Sequence, residues 1–229
     1  MRRHPFRGLA VEAFAVAATL FATGCGEDPA TPPEDKLIDG DEALIGALAS
    51  AYSALDVARF ESLLANNRDA NASFSFIVTG ITGSPVRVWD IETEMDIHRR
   101  MFRPNEIPAS DPPVDSSLWP EWISVTLTPK SDFAERPDLY VGESNPGGVD
   151  PTRWRVTSAR YVADVHFELA EGDWLAVNDH DAEFVVIEDR TKKVGDETKY
   201  KLLSWSEPCG ETAVLSRECW SRIKSFYAK

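Results

Sequence analysis

The chain has 229 residues, with 24 Lys and Arg against 38 Asp and Glu and a formal net charge of −14. So acidic a chain offers no field for nucleic acid, whose binders must neutralise phosphates with Lys and Arg. It equally lacks a protein surface suited to anionic lipid headgroups. Seven Trp and eleven Phe supply the large apolar area that a real core needs.

The first segment runs MRRHPFRGLAVEAFAVAATLFATGC. Arg2, Arg3 and Arg7 make a positive start, Ala13 to Gly24 is an apolar, small-residue run, and small residues precede Cys25. That pattern is a secretory signal over residues 1–24 rather than fold-forming sequence. The run is shorter than the roughly 20 apolar residues a membrane span requires. Ala22-Thr23-Gly24-Cys25 resembles the lipobox of bacterial lipoproteins. The resemblance implies that Cys25 is diacylated and becomes the new N-terminus, a two-chain anchor of the kind stable membrane attachment takes. Gly26 after the cysteine leans, by the same analogy, toward the outer membrane rather than the inner. Removal of residues 1–24 takes Arg2, Arg3, Arg7 and Glu12 with it and leaves 21 basic and 37 acidic residues, a net charge of −16. The expected partner is therefore a membrane reached through lipid on Cys25. The linker of residues 25–38 contains three prolines and four acids within Gly26 to Lys36, and reads as an extended tether. Residues 39–229 are then a single domain.

Asp39-Gly40-Asp41-Glu42 opens a helix with Asp39 as candidate N-cap, followed by Leu44, Leu48, Ala51, Tyr52 and Leu55 at helical spacing. Asp56 caps a second short helix with Phe60, Leu63 and Leu64 on its apolar face. Ser73 to Val78 reads as a strand, and Gly80, Gly83 and Pro85 as a loop after it. Asp90 caps a third helix on which Ile91, Met95, His98 and Met101/Phe102 share a stripe. Residues 103–118 hold four prolines and read as loop. Trp122 to Thr128 alternates as a strand, and residues 129–151 are a long polar loop, a lid or an insertion. Three long strands follow, Trp154 to Leu169, Trp174 to Asp189 and Lys199 to Ser206, joined as antiparallel hairpins. In the first of them the apolar phase switches from even to odd positions, which predicts a bulge and a bent sheet. A helix near Ser216 to Tyr227 closes the chain. Helices followed by a strongly curved antiparallel sheet, with a short C-terminal helix, give an α+β class.

Several local patterns, taken in order, resemble the nuclear transport factor two–like superfamily, the SnoaL-like or cystatin-like cone. They are Ala51-Tyr52-Ser53-Ala54-Leu55-Asp56 with Phe60-Glu61-Ser62-Leu63-Leu64, then Ala182-Glu183-Phe184-Val185-Val186, then Tyr200-Lys201-Leu202-Leu203-Ser204-Trp205. Trp205 and the ending Cys219-Trp220-Ser221-Arg222-Ile223-Lys224 look like uncharacterised bacterial lipoproteins of that superfamily. The resemblance implies a curved sheet wrapped around helices, often enclosing a pocket. It implies no single activity, because cones host isomerases, hydrolases and plain binding modules.

Five residues stand as candidate pocket groups: Tyr52, His98, Asn178, His180 and Tyr200. His98 lies on the apolar stripe of the third helix, either as a pocket base or as a core histidine held by a backbone partner. Asn178 and His180 share a phase with Trp174, Phe184 and Val186; an unbroken strand turns them inward and a bulge near 178–181 turns them to solvent. Asp164 and His166 fall on the face opposite the apolar one. No nucleophile elbow, phosphate-binding glycine loop or zinc-helix motif is present, so neither a cofactor nor a catalytic residue is implied. Cys209 and Cys219 are expected to form a disulfide, given an exported location. A metal is not expected there, since no His lies near either cysteine in sequence. Two functions stay open. One is an envelope lipoprotein that binds a small apolar ligand or partner protein without catalysis; the other is an isomerase or hydrolase working in the cone.

Overall fold

A computed structural model describes residues 38–66, 72–80, 85–139, 153–209 and 219–228. The signal, Cys25 and nearly all of the tether lie outside these residues, as do most of the 129–151 loop and the segment between the last two cysteines.

Helix α1 (Asp41–Ser53) buries Leu44, Ile45, Leu48, Ala51 and Tyr52 on one face. Its N-cap is Gly40 with no side-chain cap, not Asp39. The acid of that turn that matters is Asp41, which turns inward to Arg155 and Thr157. Helix α2 (Val57–Leu63) begins where the Arg59 N–H donates to Asp56 Oδ1 at 2.9 Å. Helix α3 (Ile91–Phe102) begins where the Thr93 N–H donates to Asp90 Oδ1, also at 2.9 Å. Each carboxylate satisfies one of the donors a helix start leaves unpaired. The stripe on α3 packs as its spacing predicts, with Met95, His98, Met101 and Phe102 buried.

Strands β1 (Ser75–Thr79), β2 (Pro85–Asp90), β3 (Pro120–Pro129), β4 (Ala134–Glu135), β5 (Trp154–Leu169), β6 (Trp174–Asp189) and β7 (Tyr200–Pro208) form one sheet. Its order is β2-β1-β7-β6-β5-β3, with β4 also pairing β5. All pairings are antiparallel except β1 with β7, which run parallel and make the sheet mixed. The sheet is curved and unclosed, the helices precede most of it, and α4 (Trp220–Ser225) ends the chain. This is the arrangement the family resemblance implies. Gly172, with φ +80°, makes the tight turn between β5 and β6.

The parallel β1–β7 pair departs from the antiparallel sheet of the sequence reading, β4 falls where residues 129–151 read as loop, and two further features depart as well. The segment after Thr79 returns as edge strand β2 rather than remaining loop, and a proline is tolerated at its first residue because an edge needs no donor there. The phase switch in β5 is not a bulge: the pairing with β6 runs without a break from Trp154 to Ala163. Trp154 and Val156 instead pack with Ala65, Val185 and Ile187 as a small cluster separate from the main core. Ala159, Tyr161, Ala163, Val165 and Phe167 face the main core. The sheet is apolar on one side at one end and on the other side further along. A bulge does lie across from Asp164, where β6 carries an extra residue between Val177 and His180. Asp179 adopts φ +52° there and its N–H donates to Asp164 Oδ1 at 2.8 Å.

Candidate functional site

The concave side is filled rather than hollow. Trp205 and Trp220 stack with centroids 6.2 Å apart, and Tyr52, Phe60, Phe76, Phe167 and Phe184 pack around them at 2% exposure or less. Polar groups run through this packing as a connected set. The Tyr52 hydroxyl donates to His98 Nε2 at 2.5 Å. His98 Nδ1 donates to the Glu94 carbonyl at 2.7 Å, one helical turn back. Those partners fix the neutral tautomer with the proton on Nδ1, since a carbonyl only accepts. Burial, reinforced by the charge of Lys224, holds His98 well below its ordinary value. Burial likewise drives the Tyr52 hydroxyl well above its own. His98 is therefore the core histidine with a backbone partner, and no described cleft reaches it.

Glu94 continues the set to α4. Its Oε2 lies 2.7 Å from Lys224 Nζ, and both side chains are essentially inaccessible. Lys224 Nζ sits 3.4 Å from the Phe76 ring centre and 5.2 to 5.8 Å from those of Trp205, Trp220 and Trp89. Burial raises the Glu94 carboxyl and lowers the Lys224 ammonium; each opposes the other's shift through their mutual attraction.

The remaining pocket candidates separate. Asn178 is exposed at the β6 bulge. His180 turns to the inner side at the rim, opposite Ala163, with its Nε2 3.1 Å from Glu207 Oε2 and 3.9 Å from Cys209 Sγ. Tyr200 lies at the other end of β7, where its hydroxyl donates to Glu188 Oε1 at 3.2 Å. Burial and the adjacent Glu188 push it up to about 12. Its surroundings are a charge network of Asp41, Arg155, Glu188 and Lys199 that fastens the start of α1 to β5, β6 and β7. So Tyr52 and His98 meet, and Asn178, His180 and Tyr200 do not join them. Cys209 and Cys219 are paired, with Cα atoms 6.0 Å apart, inside the range a disulfide needs.

Two surface features were not singled out by the sequence. A cleft of about 380 Å³ runs between α2, α3 and the segment after α3. Val57, Ile107 and Pro108 give it an apolar floor, and Arg99, Arg100 and Arg103 with Asp96, Glu106 and Asp111 give it charge. Arg100 is buried, and its Nε and Nη2 donate to the carbonyls of Tyr227 and Pro112. Its role is to brace the wall, while Arg99 and Arg103 are the exposed cations. On the opposite side of the sheet Trp122 and Trp174, 46% and 66% exposed, flank His166 in a row across β3, β5 and β6. His166 is thus on the solvent face, as its phase predicts.

Fold and site together define a curved-sheet α+β domain with a packed interior and a cleft beside α2 and α3 outside it. Solved structures similar to it include a proposed dehydratase of the nuclear transport factor two–like family from Streptomyces avermitilis. The identity there is 13%, over 78% of this chain and 97% of that one, with a TM-score of 0.40. Another is a nuclear transport factor two–like protein of unknown function in nutrient uptake from Rhodospirillum rubrum, 18% identical over 74% and 98%, TM-score 0.37. A third is a proposed aromatic-ring hydroxylase from Novosphingobium aromaticivorans, 15% identical over 73% and 84%, TM-score 0.40. No family model and no curated protein sequence matches the chain.

Proposed function

We propose that this chain is an exported bacterial lipoprotein, anchored through Cys25, whose folded domain is a binding module without catalysis. The observation that carries the second half is the filled cone. Tyr52, Glu94 and His98 have the chemistry of an acid–base set, yet each is fully buried and bonded to a neighbour, Glu94 through Oε2. A substrate has no route to them among the described residues. The outer cleft has the size of a small-molecule site and the usual mixture of apolar wall and a few charged groups. Its occupant, on this reading, is a small molecule with an apolar body and an acidic group. The body rests on Val57, Ile107 and Pro108, and the acid meets Arg99 and Arg103.

The test is native mass spectrometry of the purified full chain. A bound small acid that is lost in the Arg99→Ala/Arg103→Ala double variant is the expected result. A ligand retained in that variant would overturn the assignment of the cleft. The anchor is tested separately by labelling cells with a fatty-acid probe: label should vanish in Cys25→Ala, and unchanged labelling removes Cys25 as the site. A second reading, a partner protein, rests on the exposed row Trp122–His166–Trp174, which suits an interface core. Pull-down of a specific envelope protein that is lost on Trp174→Ala would favour it over the cleft.

A further inference from the structure

The strand pairing that sets His180 beside Cys209 also gathers a donor set that spacing in the sequence conceals. Cys209 lies just beyond β7, Cys219 just before α4, and His180 on the adjacent β6. One ligand atom from each of the three lies within 4.8 Å of the others. Glu207 completes the group. Its Oε1 accepts from the Ser221 N–H at 2.7 Å and lies 3.3 Å from the Cys209 sulfur. Its Oε2 is fully buried and makes no hydrogen bond, while lying 3.1 Å from His180 Nε2. A carboxylate oxygen left without a donor in a protein interior is costly and calls for a reason. Here it lies against the imidazole, while the other oxygen of the same carboxylate lies against the Cys209 sulfur.

We propose that His180, Glu207, Cys209 and Cys219 form a thiol-gated site for a divalent metal ion of the zinc class. Two sulfurs, an imidazole nitrogen and a carboxylate oxygen are the donor types zinc takes in a four-coordinate site, at about 2.0 to 2.3 Å from the metal. Donors at that radius stand roughly 3 to 4 Å from one another. The 3.1 Å from His180 Nε2 to Glu207 Oε2 and the 3.9 Å to Cys209 Sγ already have that spacing. The two bonded sulfurs must part for the metal to enter. While they are bonded to each other, neither is a thiolate and the site is shut. Two molecules of a thiol reductant supply two electrons and two protons, splitting the S–S bond into two thiols and leaving one reductant disulfide. The metal ion then displaces the two thiol protons and takes Cys209 and Cys219 as thiolates, with neutral His180 and ionised Glu207 as the other ligands. In the oxidising exported space the disulfide persists, so the metal form arises only where a reductant of this kind reaches the protein.

The full chain carrying Cys25→Ala, which leaves Cys209 and Cys219 as its two thiols, is reduced with a phosphine under nitrogen and titrated with Co²⁺ alone. One equivalent should give the sulfur-to-cobalt charge-transfer band and visible spectrum of a tetrahedral thiolate site, and Zn²⁺ should abolish both. The unreduced protein should give neither. His180→Ala should weaken Co²⁺ binding at least tenfold, and circular dichroism checks that the variant is folded. No charge-transfer band in the reduced protein, or equal Co²⁺ affinity with and without His180, overturns the proposal. Should Glu207→Gln fail to fold, the rim position of His180, 12% exposed against 0% for Glu207, keeps the test available through that residue alone.

Discussion

The pair Glu94–Lys224 offers the sharpest test of how the cone interior is held. The perturbation is Lys224→Met, which keeps an unbranched apolar stem and deletes the ammonium. Two losses follow. Glu94 keeps a buried charge whose partner at 2.7 Å is gone, and removal of one member of a buried pair costs about 3 to 5 kcal/mol. The ammonium also leaves the rings of Phe76, Trp89, Trp205 and Trp220, an attraction that reaches about 2 kcal/mol in a desolvated setting. Methionine packing against those rings returns part of this, so the expected net loss is about 4 kcal/mol. Urea unfolding followed by tryptophan fluorescence is the assay, because three of the seven Trp line the site. With a denaturant slope of about 2 to 3 kcal/mol per molar, the midpoint should fall by about 1.5 M. The companion variant Lys224→Met/Glu94→Leu removes both charges. Apolar replacement of a buried pair is often neutral or stabilising, so the double variant should return to within about 1 kcal/mol of the parent. A single variant that loses less than 1 kcal/mol, or a double variant whose loss equals the sum of the singles, refutes the reasoning.

Other consequences are narrower. Burial pushes the Asp189 carboxyl up, but the Arg153 guanidinium and the Thr191 hydroxyl and N–H outweigh it and hold the group at about 2, below its ordinary 3.8. A depressed acid contributes stability above its unfolded value and loses it as pH falls through the folded one. The advantage of the parent over Asp189→Asn should therefore be at most about 2 kcal/mol above pH 4, with half-exposed Arg153 screened by solvent, and should be gone below about pH 2; a gap that stays constant with pH in acid unfolding curves contradicts this. Asp90→Ala removes the donor-satisfying oxygen at the start of α3 and should cost about 1 kcal/mol in chemical denaturation, whereas Asp90→Asn should cost a fraction of that. Trp220→Ala should cost about 3 to 5 kcal/mol and leave an apolar cavity beside Tyr52 and Phe167. Such a cavity stays dry and takes small aromatics, so added indole should raise the melting temperature of the variant in a saturable way and leave the parent unchanged.

The parts of the fold that sequence disclosed are those with strong local signals. Asp56 and Asp90 sit one residue before an amphipathic run, and both cap as expected. Alternation over Trp154 to Asp189 marks two long paired strands because one face of most of that span is buried. The misses have equally physical causes. Strand β2 is six residues at an edge, with Val88 more than half exposed, so the strand carries little of the alternation that a half-buried strand shows. The parallel pairing of β1 with β7 joins Ser75 to Ser204 across most of the chain and leaves no local trace. The even-to-odd switch in β5 looks like a slip in a one-sided strand, and here it records a second cluster on the reverse side. For the site, reading apolar stripes found Tyr52 and His98 but passed over Asp41, Glu94, Glu207 and Lys224. All four are buried, and acidic or basic side chains carry a strong expectation of exposure unless a partner is known. Their partners come from other elements, so the sequence holds the charges but not the pairings. His180 is the clearest case: its nearest sulfur lies 29 residues away and is brought to it only by the β6–β7 register.

The last helix explains why the interior of the curved sheet is filled. Strands β5, β6 and β7 would leave a concave surface beneath α1 and α3, and α4 with its flanks fills it. Trp220, Ile223 and Tyr227 enter the apolar core, while Lys224 lands on Glu94. The plug is fastened at several independent points. Arg100 donates to the Tyr227 carbonyl, the Tyr227 hydroxyl donates to the Leu118 carbonyl, the Ser221 N–H meets Glu207, and Cys219 is bonded to Cys209. Such a helix cannot act as a lid that opens for each ligand, because opening it strands a buried lysine and two buried carboxylates at once, and each stranded charge carries a penalty of several kcal/mol. Under the proposed binding role, ligand exchange falls to the cleft beside α3, which can fill and empty without moving the core. Among the described residues the Cys209–Cys219 bond is the covalent member of this set, and it lies beside His180 at the rim.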